Sequence, residues 1–169
     1  VLYGARMARW DLLKAVGMLA QRVSKWTRSC DKALHRLMCY VNTAVDLVLE
    51  GYVGVDDTLG AVELQLFAVA DFAGDRPSFK STSGFILGLK GPCTWMPLAA
   101  QSKRQSCVSH STPEAEIVSL NTATRTAGLP ALDLWEHILS RRVVLRHMED
   151  NDAAIKVLKS GRNPSMRHM

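Results

Sequence analysis

The spacing of hydrophobic positions changes along this chain, and the changes divide it. Leu12, Leu13, Val16, Leu19, Ala20 and Val23 recur every three to four residues, as on one face of a helix. The stretch "KWTRSC", residues 25–30, interrupts the pattern, and Thr27 or Ser29 could cap the next helix. Leu34, Leu37, Met38 and Val41 form a second helical stripe, so the spacing predicts an antiparallel helical hairpin. "GYVGVDDTLGA", residues 51–61, is rich in Gly and Asp and has no helical period. It reads as a boundary. The expected organisation is a helical segment over 1–52, a linker over 53–61 and a second domain over 62–169.

Beyond the boundary the period falls to two. "VELQLFAVAD", "KSTSGFILGLKG" and "PCTWMPLA" read as strands separated by Gly and Pro turn signals. A helical stretch follows from Ser111 to about Ser140, with Gly128 and Pro130 placed to break or kink it. "RRVVLRHM" predicts a fourth strand and "DAAIKVL" a short last helix. The order β-β-β-α-β-α defines an α/β class.

Composition narrows the classes of function. Of the 169 residues 47% are hydrophobic, enough for a core, and no apolar run approaches the roughly 18 residues of a membrane span. No charged segment precedes an apolar one at the start, so no signal peptide is expected; with the cysteine usage below, an intracellular protein without membrane contact, cytoplasmic or nuclear, is expected. Cys30, Cys39, Cys93 and Cys107 include no C-x-x-C pair, which suits reduced thiols; Cys30, His35 and Cys39 could share a helix. The formal charge of +5 is compatible with a nucleic-acid partner without requiring one.

Several carboxylates could carry chemistry. In "STPEAE", Ser111 and Glu114 have capping-box spacing, which gives Glu114 a structural role, and at 100° per residue it shares the side of Asn121 and Arg125, read as the solvent face. Glu116 shares its face with Leu120, Ala123 and Ala127 and should lie toward the sheet, where a carboxylate needs a cation or hydrogen-bond donors. Asp150 ends the fourth strand, although Asp150, Asn151 or Asp152 could each cap the next helix. Asp71 ends the first strand. Such acids can hold divalent ions, and Mg2+ (or Mn2+) suits an all-oxygen site. "QSKRQ", residues 101–105, reads as a basic loop in which Lys103 and Arg104 could meet phosphate. No phosphate-binding glycine loop, nucleophile elbow or H-E-x-x-H motif is present.

"DFAGD", "STSGF", "SKRQ", "STPEAE" and "EDNDAAI" occur in this order, and together they resemble the ribonuclease H domain of copia-type retrotransposon polyproteins. "ARWDLLKAV" and "KWT" resemble the end of the preceding reverse transcriptase, and "NPSMRHM" the stretch before the family's last strand. The resemblance implies a ribonuclease H-like three-layer domain, C-terminally truncated and preceded by the helical hairpin. It implies Mg2+-dependent hydrolysis of RNA in an RNA–DNA hybrid by a two-metal mechanism, with the rest of the reverse transcriptase polyprotein as partner. Glu116, Asp150 and Asp71 would be the metal-binding and catalytic acids, and Lys103 and Arg104 would contact the hybrid. The family's first ligand position holds Val69, so activity is expected to be weak or absent. A bulge or register shift would be needed for Asp71 to substitute. The alternative is a non-catalytic nucleic-acid-binding or spacer module.

Overall fold

The computed structural model describes residues 1–57, 61–75 and 78–161. The "NPSMRHM" ending and residues 58–60 of the expected linker lie outside these. Two compact units are present, Val1–Leu49 and Glu50–Met169.

The first unit contains helices α1 (Leu2–Met7), α2 (Leu13–Ala20) and α3 (Arg28–Thr43), with single 3-10 turns at Trp10–Leu12 and Val23–Lys25. The predicted first helix is thus shorter, because the chain tightens on both sides of α2. Thr27 occupies the N-cap position of α3, but its hydroxyl bonds Ser29 Oγ and Cys30 Sγ rather than a backbone N–H. Ala5, Leu12, Val16 and Leu37 form a small core. Leu34 and Met38, expected on the buried stripe, are exposed.

The second unit is α/β, with a four-stranded mixed sheet in the order β3-β2-β1-β4. Strands β1 (Glu63–Asp75), β2 (Lys80–Lys90) and β3 (Trp95–Arg104) form an antiparallel meander, and β4 (Leu145–Met148) runs parallel to β1. Part of the stretch read as a linker is tied to this unit. Tyr52 and Trp95 exchange backbone hydrogen bonds, and the Asp57 carboxylate accepts from the Cys93 N–H.

Alternation along β1 sends Leu64, Leu66 and Ala68 into the main core with Leu87, Leu120, Ala123 and Val143. The opposite face carries Phe67, Val69, Ile86 and Met148, all exposed, with Phe67 edge-on to Trp95 at 6.2 Å. "DFAGD" is still strand at its end, but its register with β2 shifts between Asp71 and Asp75. Ala73 takes a left-handed φ of 51° there, and its N–H donates to the buried Ser81 hydroxyl.

Helix α4 (Thr112–Ala123) begins at Ser111, whose hydroxyl accepts from the Glu114 N–H, with Pro113 in its first turn. It packs on β1 and β2, and Ser119 Oγ donates to the carbonyls of Val69 at 2.8 Å and Gly84 at 3.4 Å. The predicted break at Gly128 and Pro130 is a single π-turn, Thr124–Gly128, that leads directly into α5 (Leu129–Leu139). Gly128 is small because Leu145 and Leu66 press on it: a Cβ there would lie 2.9 Å from Leu145 Cδ2. After β4, helix α6 (Asp152–Ser160) is capped by Asn151 Oδ1, which accepts from the N–H groups of Ala153 and Ala154.

Candidate functional site

The acids read from the sequence do not all meet. Glu116 is 5% exposed, on α4 where it crosses β1, and receives a hydrogen bond from the Ala70 backbone. Asp150 lies just past β4, exposed, and adds to the charge around Glu116. Asp71 is elsewhere. It shares the outer face of β1 with Val69, which is 53% exposed, while α4 covers the other face. The irregularity in β1 begins only after Asp71, which keeps its pairing with Thr82, so the bulge does not carry Asp71 toward Glu116.

A residue not singled out from the sequence completes the acid cluster. Glu149 precedes Asp150 at the end of β4, and one of its oxygens accepts from the Asn151 N–H at 3.1 Å. Its adjacency to Asp150 was the available signal, since two acids in a row at a strand end place at least one inward. Glu116 Oε2 and Glu149 Oε2 are buried and meet no hydrogen-bond partner. Burial, then the Glu149 charge, pushes the Glu116 carboxyl up to about 7, with Asp150 adding to the rise and the Ala70 bond opposing it. Glu149 is also raised, chiefly by burial, with Asp150 adding and the Asn151 bond opposing. Near neutral pH, Glu116 therefore spends part of its time protonated.

Beside these acids lies an open crevice of about 780 Å³ between α4, β4 and α6. Ile117, Val118, Ile155 and Leu158 supply apolar walls, while Glu149, His147, Asn121 and Lys159 supply polar groups, one acid and one cation among them. His147 Nε2 bonds the Thr124 hydroxyl at 3.0 Å, and burial lowers its pKa.

The fold alters other expectations. Glu114, expected on the solvent side, is fully buried, and its carboxylate accepts from the His110 N–H at 2.7 Å. The helix start folds back over it. The expected basic loop is the end of β3, so Lys103 and Arg104 point to opposite faces of the sheet. Arg104 is paired with Asp75 at 2.8 Å, and buried Gln105 donates to Ser83 Oγ and the Ala115 carbonyl. Among the described residues, no three His, Cys, Asp or Glu side chains are grouped so as to hold a metal ion. No described helix is long and apolar enough to cross a membrane.

No protein-family model matches the chain, and no solved structure matches it. The chain is similar to a protein of Plasmopara viticola named secreted RxLR effector protein 161. The two are 32% identical over 143 residues, 84% of this chain and 89% of that protein. This finding overturns the resemblance to copia-type polyproteins and, with it, the retrotransposon and ribonuclease H functions expected from that resemblance. A relative named as secreted also contradicts the expected intracellular placement. With that identity over most of both sequences, the chain belongs to the family of this secreted RxLR effector protein.

Proposed function

We propose that the chain is a secreted effector domain that binds its ligand at the crevice between α4, β4 and α6, with a divalent cation held beside it by Glu116 and Glu149 in support. The observation that carries this reading is the pair of buried, unpartnered oxygens, Glu116 Oε2 and Glu149 Oε2. Leaving such groups unsatisfied costs about 1–3 kcal/mol each, which natural folds rarely tolerate without a use. Glu116 and Glu149 would hold the cation, with the exposed Asp150 at the rim. Mg2+ or Mn2+ fits two hard oxygens because such ions retain several waters and need few carboxylates. The bound ion would supply a fixed positive charge for an anionic or carbonyl group of the ligand. The apolar walls would take the rest. Secretion enters from the name of the Plasmopara viticola relative. An antiparallel three-strand meander followed by a fourth strand parallel to the first supports a ribonuclease H-like version of the α/β fold.

Calorimetric titration of Mg2+ and Mn2+ at pH 6 and pH 8 tests the site. Binding should be tighter at pH 8, because the proton on Glu116 competes below its pKa of about 7. Glu116→Gln and Glu149→Gln should each weaken it. Affinity unchanged from the parent in both variants, or no binding at pH 8, would overturn the proposal. Recovery of the full-length protein from the extracellular medium tests secretion; retention inside cells would refute it.

A further inference from the structure

We propose a second, independent metal site in the first unit: the exposed pair His35 and Cys39 on α3, binding a borderline-soft transition-metal ion such as zinc through imidazole and thiolate. The two residues are four apart on a 16-residue helix, so their side chains lie on one face, one turn apart. Both are exposed, and Cys39 Sγ lies 3.6 Å from His35 Nε2. Without metal, that contact is a hydrogen bond. The same separation also suits a tetrahedral ion. Zinc–sulfur and zinc–nitrogen bonds of about 2.3 and 2.0–2.1 Å at a tetrahedral angle place the two donors about 3.6 Å apart. The helix therefore presents the two donors at the spacing that coordination would use, and a turn of the imidazole ring would aim its nitrogen at the ion instead of at the sulfur. On binding, the thiol gives up its proton to solvent and the ion takes the place of the hydrogen bond. Water fills the remaining positions, which makes this an open and exchangeable site. The carboxylate oxygens of Glu116 and Glu149 would favour a harder ion, so the two sites separate by chemistry.

The test uses the full 169-residue chain, kept reduced, with Co2+ as a spectroscopic probe and Zn2+ as competitor. A thiolate-to-cobalt charge-transfer band should appear at one equivalent and be displaced by zinc. Cys39→Ser should abolish the band, and His35→Gln should weaken affinity by about tenfold or more, as loss of a ligand costs at least what loss of a supporting partner does. Cys93→Ser and Glu116→Gln should leave the band intact, separating this site from the other exposed thiol and from the Glu116 and Glu149 carboxylates. Cys39→His keeps two donors at the same spacing and should retain zinc binding without the band. Circular dichroism checks that the exposed substitutions leave α3 folded. A band that survives Cys39→Ser, affinity unchanged in His35→Gln, or no band in the unmodified chain would overturn the proposal.

Discussion

Glu116 shows how one side chain can oppose the stability of its own fold. Its carboxyl is pushed from 4.5 to about 7 on folding, so between these values the folded chain binds more protons than the unfolded one. Stability linked to this group is full below about pH 4.5 and falls as pH rises through 7. Unfolding by denaturant at pH 5 and pH 8 should show this decline, and Glu116→Gln should flatten it. A tenfold change in proton affinity is worth about 1.4 kcal/mol. Allowing for solvent screening, the variant should be more stable than the parent at pH 8 by on the order of 1 kcal/mol. A steeper decline in the variant would rule out Glu116 as its source. The sequence made this residue visible because a carboxylate on an apolar helical stripe is anomalous. It hid Glu149, whose burial depends on how the turn after β4 folds. It also misplaced Glu114, because helical period alone does not register the chain of residues 105–110 closing over the helix start.

Elements were more legible than their joints. Period two and Gly/Pro punctuation located β1, β2 and β3, and Ser111 with Pro113 located the start of α4. The joint between α4 and α5 was legible as a break but not as a π-turn, and the crowding that keeps residue 128 a glycine comes from Leu145 and Leu66, distant in sequence. Gly128→Ala should therefore destabilise the second unit by about 1–3 kcal/mol through overpacking against Leu145 and Leu66, although alanine is the better helix former. Thermal unfolding checks the sign; a stabilised variant would show that the turn yields. Ser119 pins α4 to two strands at once, and Ser119→Ala should cost about 1–2 kcal/mol in the same assay. The motifs behind the copia resemblance have local roles here: "DFAGD" makes the β1 irregularity, "STPEAE" a helix cap and "EDNDAAI" another. Short segments selected for turn and cap chemistry carry limited information about descent.

At the scale of the molecule, the two units differ in how much apolar surface they can bury. The first relies on Ala5, Leu12, Val16 and Leu37, whereas the second has two clusters, one spanning sheet and helices and one joining α4 to α6. A chain restricted to 50–169 should unfold cooperatively with an α/β circular dichroism spectrum, while 1–49 alone should show little cooperative structure. A gradual, featureless melt of 50–169 would contradict this. Within the second unit, the crevice sits beside the shortest ladder of the sheet. β4 meets β1 over only four residue pairs, from Leu64–Leu145 to Phe67–Met148, while β2 follows β1 along most of its length. A short ladder opens more readily than a long one, so amide hydrogens of residues 145–148 should exchange before those of β1 and β2. Glu149 directly follows that short strand, so an ion held between Glu116 and Glu149, as proposed, should tie the strand end to α4 and slow the exchange of residues 145–148.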